Sequence, residues 1–269
     1  MKYKIDHDYH IHTGLSLCSG DPEQTAERIL KYAKDNGLSR ICITNHYWDK
    51  AVDGAWSWYV PQDFDYISKV KPLPKDDSVK FFFGCEGEMD IFKKLSVPAS
   101  RYVDFDFMVI PTTHLHMTGY TITHEEAESK DTAKIRARLW VERLDALLNY
   151  DIPLKKTGAA HLATPLMLRR SHEEYLAMLD AIPSDEMERL FAKAAKVGLG
   201  IELNQDDMAF SDSDADTVLR MFRIAKHQGC KFYLGSDAHH PSNLERTKEI
   251  FERAVTLLDL SESDKFHIE

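Results

Sequence analysis

Short apolar, β-rich runs alternate with amphipathic helical stretches along the whole chain. This alternation constrains the fold more than any other feature. The extended runs are residues 3–9, 41–44, 79–84, 107–110, 157–160, 199–203 and 231–234; the first has the weakest patterning and 157–160 is read from its context. Helical patterns cover 22–36, 131–150, 184–197, 214–228 and 242–258. The first has Asp21 as its expected N-cap, Pro22 at the first helical position and Gly37 as its stop. The third is expected to start from a Ser184 cap and to stop at Gly198. Each helix is expected to follow one strand and feed the next. Strands joined through helices run parallel, because the helix carries the chain back across the sheet. Seven such strands form either a closed or nearly closed α/β barrel with outer helices, or an open doubly wound sheet.

The polar residues favour the barrel. Active sites of β/α barrels lie at the carboxyl ends of the strands. Here the runs are followed in turn by Asp8-Tyr9-His10-Ile11-His12, Asn45-His46, Glu86-Gly87-Glu88, His114-Leu115-His116, His161, Asn204 and Asp237-Ala238-His239-His240. Six of the seven ends carry His, Asp or Glu, and the other carries Asn. In a barrel these groups meet at one mouth. Imidazoles and carboxylates gathered in a dry cleft are costly unless they pair or bind metal, so a metal site is the economical reading. Residues 10 and 12 form an H-x-H pair, and alternate strand residues share a face, so both rings can reach one ion.

Composition sets the outer bounds. A chain of 269 residues suits one barrel domain over 1–269. Lys+Arg 34 against Asp+Glu 44 gives a net charge of −10, which argues against general nucleic-acid binding through a phosphate backbone. A small anion remains a possible substrate if bound cations supply local positive charge. No apolar run is long enough to span a membrane, and the first fifteen residues lack the apolar core of a secretory signal. Cys18, Cys42, Cys85 and Cys230 are dispersed, with no C-x-x-C pair. Reduced thiols and a cytoplasmic location are the expectation. P-loop, H-E-x-x-H and G-x-S-x-G motifs are absent.

The ordered motifs D-Y-H-I-H-T at 8–13, I-T-N-H at 43–46, G-C-E at 84–86, His114, A-H at 160–161 and G-S-D-A-H-H-P at 235–241 resemble those of the PHP (polymerase and histidinol phosphatase) family. The resemblance spans nearly the whole chain. It implies a distorted barrel of seven parallel strands and a phosphoesterase using two or three divalent ions. Carried over to this sequence, it implies a first ion held by His10, His12, Glu86 and Asp237, a second by His46 and His239, and a third by His114 and His161. Glu86 would bridge the first and third, with Glu88 as the alternative. The sequence departs from the family where many members place a His or Asp shortly after H-x-H to complete the second ion. Here Cys18 could coordinate as thiolate, or Asp21 could substitute, although Asp21 is preferred as a helix cap.

The expected chemistry is hydrolysis of a small phosphomonoester, histidinol-phosphate-like or nucleotide-like. Paired ions about 3.5–4 Å apart would acidify a water and clamp the phosphoryl oxygens. His239 or Asp237 could protonate the leaving oxygen. Mixed His/carboxylate ligation suits Zn, Mn or Fe alike. The loop after His46 holds three of the four tryptophans, Trp48 among them, and is expected either to wall a substrate pocket or to form a satellite core. Arg169 and Arg170 are further candidates for a substrate phosphate. His116 and His240 are candidates to support the ligands. Two other readings remain open: an amidohydrolase-like metal hydrolase and a non-catalytic metal-binding module.

Overall fold

The computed structural model describes residues 1–168 and 171–268. Seven strands, β1 (His7–Ile11), β2 (Arg40–Ile43), β3 (Lys80–Glu86), β4 (Phe107–Pro111), β5 (Thr157–Ala160), β6 (Gly200–Asn204) and β7 (Lys231–Gly235), pair in parallel in sequence order. β7 returns to β1, so the sheet is a nearly closed barrel rather than an open doubly wound sheet. The seam between these two strands is irregular. Asp237 N donates to His10 O (2.7 Å) and His12 N to Ala238 O (3.1 Å). Side chains make the remaining links: Ser236 N donates to Asp8 Oδ1 (3.0 Å) and Leu234 N to His7 Nε2 (3.1 Å).

Nine α-helices are described: α1 (Ala26–Asn36), α2 (Phe64–Ile67), α3 (His124–Glu128), α4 (Thr132–Asn149), α5 (His172–Ala181), α6 (Ser184–Val197), α7 (Gln205–Met208), α8 (Ala215–His227) and α9 (Thr247–Leu257). The strict alternation expected from sequence does not hold. The β2–β3 connection carries only α2 and a 3₁₀ turn, and β3–β4 only a 3₁₀ turn, while β5–β6 carries two helices, of which α5 was not anticipated. α1 starts four residues later than expected, capped by Thr25 rather than Asp21. Its predecessor Gln24 is drawn into the seam, donating to His12 O (2.8 Å) and Ala238 O (3.2 Å), which keeps 22–25 out of the helix. Gly37, at φ 70°, stops the helix as expected. At α6, Pro183 occupies the N-cap and Ser184 opens the helix instead of capping it.

β1 begins at His7, not at Tyr3, and it is bulged. Asp8 pairs with Ile41, but Ile11 pairs with Ile43, so one extra residue is accommodated between them. Across this bulge Tyr9 packs in the inner cluster with Phe82, Phe107, Tyr233 and Phe266, whereas Ile11 packs outward with Ile29 and Ile41 under α1. Tyr9 and Ile11 thus face opposite sides although a regular strand would put them on one. Phe266 N donates to Phe232 O (2.8 Å), and its ring closes the barrel end opposite the polar mouth.

Candidate metal centre

The mouth gathers residues from six strand ends. His10, His12, Glu86 and Asp237 form one cluster of donor atoms, His12, His46 and His239 a second, and Glu86, His114 and His161 a third, with all donors in a cluster within 4.8 Å of one another. Glu86 belongs to two clusters, and so does His12. In the first cluster, His10 Nε2 lies 3.2 Å from His12 Nε2, and Asp237 Oδ1 lies 3.3 Å from His10 Nε2 and 3.0 Å from His12 Nε2. Glu86 Oε2 lies 3.6 and 3.4 Å from the same two nitrogens. A tetrahedral zinc ion about 2.0–2.1 Å from each donor would separate neighbouring donors by about 3.3 Å. The residues therefore fit such an ion.

The outer nitrogens fix which way the inner ones point. His10 Nδ1 is 2.7 Å from Glu202 Oε1, and His114 Nδ1 is 2.7 Å from Glu88 Oε2. Both carboxylates only accept, so each ring carries its proton on Nδ1. Ser16 Oγ donates to Asn45 Oδ1 and so accepts from His12 Nδ1 (2.8 Å). Thr113 Oγ1 likewise donates to His161 O and accepts from His161 Nδ1 (3.0 Å). His239 Nδ1 donates to Asp237 O (2.7 Å). Five rings thus turn their Nε2 atoms inward, where each also has a nitrogen or carboxylate for a neighbour. Glu86 Oε2, Asp237 Oδ1 and His46 Nδ1 are buried in ion-pair contact, His46 Nδ1 2.6 Å from Glu86 Oε2 and His12 Nε2 3.0 Å from Asp237 Oδ1, but none makes a well-aligned hydrogen bond. Such a convergence of donor atoms is stable when a cation fills it.

Charge in the cluster is strongly coupled. Burial alone would depress His10, but Asp237, Glu202 and Glu86 outweigh it and raise its pKa well above the usual value. His161 rises to about 9 against its burial, chiefly through its contact with Glu86. His12 moves the other way, lowered by burial and by His239 and His46 beside it. Glu86 and Asp237 stay ionised: burial opposes this, but His46 and His10 hold Glu86 low, and His10 and His12 hold Asp237 low. Cys18 lines the cleft outside the three clusters. Its partial burial raises the thiol pKa, but His46 and His239 together bring it down to about 7.

Two ligand-end residues have strained backbones. His161 has φ 31° and Asp237 φ 51°, in the left-handed region that side chains other than glycine rarely adopt. Each is pinned through its amide, His161 N to Glu202 Oε2 (2.7 Å) and Asp237 N to His10 O. Glu202 therefore orients both His10 and His161, a role that sequence reasoning missed. The one available signal was a lone acid inside the apolar run 199–203. Gly235 makes room for it, because a Cβ there would collide with the Glu202 carboxylate and the His10 Cβ.

The remaining candidates fall elsewhere. Glu88 stands behind His114, outside the clusters. Asp21 caps a turn at Glu23 N and pairs with His240 Nε2 (2.7 Å), so neither faces the clusters. His116 lines the cleft. Trp48 is buried in a satellite core with Tyr59, Met117 and Tyr120, and its Nε1 donates to Val52 O (2.7 Å). The cleft rings come instead from Trp56, Trp58 and Tyr59. Arg169 and Arg170 lie outside the described residues.

The nearly closed barrel of seven parallel strands is the fold that the motif resemblance implied. No family model matches the chain. Among curated proteins, the "Probable histidinol-phosphatase" of Deinococcus radiodurans is 23% identical over 252 residues, 88% of this chain and 87% of that protein. A "Probable phosphatase" of Caldicellulosiruptor saccharolyticus is 22% identical over 254 residues, 92% of this chain and 87% of that protein. Among solved structures, histidinol phosphate phosphatase from Lactococcus lactis, complexed with zinc, L-histidinol and phosphate, superposes with a TM-score of 0.59 at 19% identity. The match covers 97% of this chain and 94% of that one, and it shows the shared fold.

Proposed function

We propose that this protein, as one barrel domain over 1–269, hydrolyses a small phosphomonoester at three divalent-ion sites in the barrel mouth. The observation that carries the reading is the convergence of inward-facing imidazole nitrogens on ionised Glu86 and Asp237 in three clusters of donor atoms. His10, His12, Glu86 and Asp237 hold the first ion. His46 and His239 hold the second together with His12, and Cys18, beside His46 and His239 in the cleft lining, is a further candidate ligand. Glu86, His114 and His161 hold the third. Zinc, manganese and iron all suit this donor set. Bound there, such ions supply an acidified water and neutralise phosphoryl charge. The chain's own residues do the rest. Glu202, Glu88, Ser16 and Thr113 fix ring orientation. Asp237 and His239 are the ligands most open to solvent, with 20% and 26% of their side chains exposed. His239, whose Nδ1 carries a proton, gives it to the leaving oxygen as the P–O bond breaks, whereas Asp237 is held ionised and has none to give.

The relatives' names support phosphate ester chemistry, and histidinol-phosphate-like and nucleotide-like esters are the starting panel. No helix among the described residues is long and apolar enough to cross a membrane. Four free cysteines support a reducing, cytoplasmic setting. Elemental analysis combined with assays for phosphate and ammonia release tests the reading. Bound metal with phosphate release supports it. Ammonia release from amide or amidine substrates would instead indicate an amidohydrolase, and bound metal without turnover a non-catalytic module.

A further inference from the structure

The cleft above the clusters has a volume of about 620 Å³, within the range of small-molecule sites. Its floor is metal-ligating, but one wall is aromatic. Trp58 meets the His46 ring edge-on at 5.1 Å and Tyr59 meets it edge-on at 6.2 Å. Trp56 stacks on Tyr120 at 5.7 Å and leaves 45% of its surface exposed at the opening. Met117 and Leu166 complete the apolar lining. Trp56 and Trp58 together give the opening a flat apolar surface beside the polar floor.

This wall is pre-organised. Gln62 Nε2 donates to Trp58 O (3.1 Å), Lys94 Nζ to Asp53 O (2.6 Å), and Tyr59 Oη to Glu88 Oε2 (3.0 Å), the carboxylate that also orients His114. The wall is therefore anchored to the ligand set. Formal charge is scarce around it. Among the described lining residues the only carboxylates are Glu86 and Asp237, both in the clusters, and there is no Lys or Arg. Among the described lining residues, an ammonium on the leaving group would find no uncommitted carboxylate, and a second phosphate no Lys or Arg.

We propose that the cleft selects phosphomonoesters whose leaving group carries a neutral, planar ring, seated against Trp56 and Trp58 while the phosphoryl end faces Glu86, Asp237 and the imidazoles. This rests on the phosphatase reading and specifies its substrate class. Binding uses apolar area and ring stacking, so selectivity comes from the wall and not from a charge pair.

The test compares kcat/KM of the metal-loaded protein on phenethyl, ethyl, ethanolamine and histidinol phosphates. It also follows tryptophan quenching by the non-hydrolysable phenylpropylphosphonate against butylphosphonate. Phenethyl phosphate is expected to exceed ethyl phosphate by about tenfold or more, as one stacked ring would supply. Trp58→Ala and Trp56→Ala are expected to bring that ratio to about one, and Trp58→Phe to restore most of it. Equal or better turnover of the ethanolamine ester would overturn the proposal, as would a ratio that survives both alanine substitutions; the histidinol ester, with a planar ring beside its ammonium, is expected between the phenethyl and ethanolamine esters. Turnover without leaving-group preference sinks the ring subsite and leaves the phosphatase reading intact. Tryptophan-dependent phosphonate selectivity without turnover of any ester does the reverse. Should neither be observed, both ideas fail.

Discussion

At the scale of single residues, ligand and orienting positions carry different expectations. Glu86 lies in two clusters, so Glu86→Ala should abolish phosphate release and lower bound metal together, read by elemental analysis of the purified variant. Full activity in that protein would sink the metal scheme. Glu202 touches no cluster interior but receives His10 Nδ1 and His161 N. Glu202→Gln keeps every ligand and removes one acceptor charge, so metal affinity should weaken about 10–100-fold in a competition titration against a chelator of known affinity. These residues differed in how readable they were. Glu86 follows its strand directly in the G-C-E motif, and His10 and His12 share a strand face, so spacing alone brings them to the mouth. Glu202 sits among apolar neighbours, where an acid ordinarily reads as a solvent-facing strand position. Only its partners on β1 and β5, both distant in sequence, give it meaning. Trp48 stayed open between pocket wall and satellite core for the converse reason: an aromatic in a loop beside a site packs inward as readily as outward, and only tertiary contacts decide, here for the core.

At the scale of elements, β6 and β7 depend on a glycine. Gly235→Ala would drive a methyl into the Glu202 carboxylate and the His10 Cβ, costing about 1–3 kcal/mol of stability and reducing bound metal. Gly20→Ala, which meets nothing within 4 Å, should leave the melting temperature nearly unchanged in the same calorimetric scan. The strands with clear apolar runs, β2, β3, β4, β6 and β7, were legible to within a few residues, and β5, read from its context, matches as well. β1 was not, because His7, Asp8 and His10 are buried in it and satisfied by one another and by β7, which inverts the usual apolar signal. The helical start at Asp21–Pro22 failed because Gln24 is held by the seam, a long-range constraint that outweighs a good local capping sequence. The missing helices between β2 and β4 share this origin: the chain there serves the cleft wall and its anchors instead of covering the sheet.

At the scale of the whole molecule, stability should follow both metal and pH. Ions that bind only the folded mouth stabilise it by about 2.7 kcal/mol at a free concentration 100-fold above Kd. Chelation should therefore lower the melting temperature by roughly 5 °C or more, and added zinc should restore it. Acid sensitivity has a separate contributor. Lys265 is buried and pairs with Asp6 Oδ1 (3.0 Å) and Glu262 Oε1 (2.6 Å). Burial favours the protonated acid, but His7 and Lys265 hold the Asp6 carboxyl well below the usual carboxylate range. A depressed folded-state pKa stabilises fully above the unfolded value, about 3.9, and the gain disappears as pH falls through the folded one. Asp6→Asn should thus cost about 1–3 kcal/mol in urea melts at neutral pH, with the gap to the parent closing below about pH 4. The seam offers one more consequence. Where β1 meets β7, an imidazole and a carboxylate replace rungs of the ladder that every other strand pair has in backbone form. The barrel is therefore a hoop with a clasp. Its amides at Leu234 and Ser236 should trade deuterium sooner than those in mid-sheet, and the hoop should spring open there first.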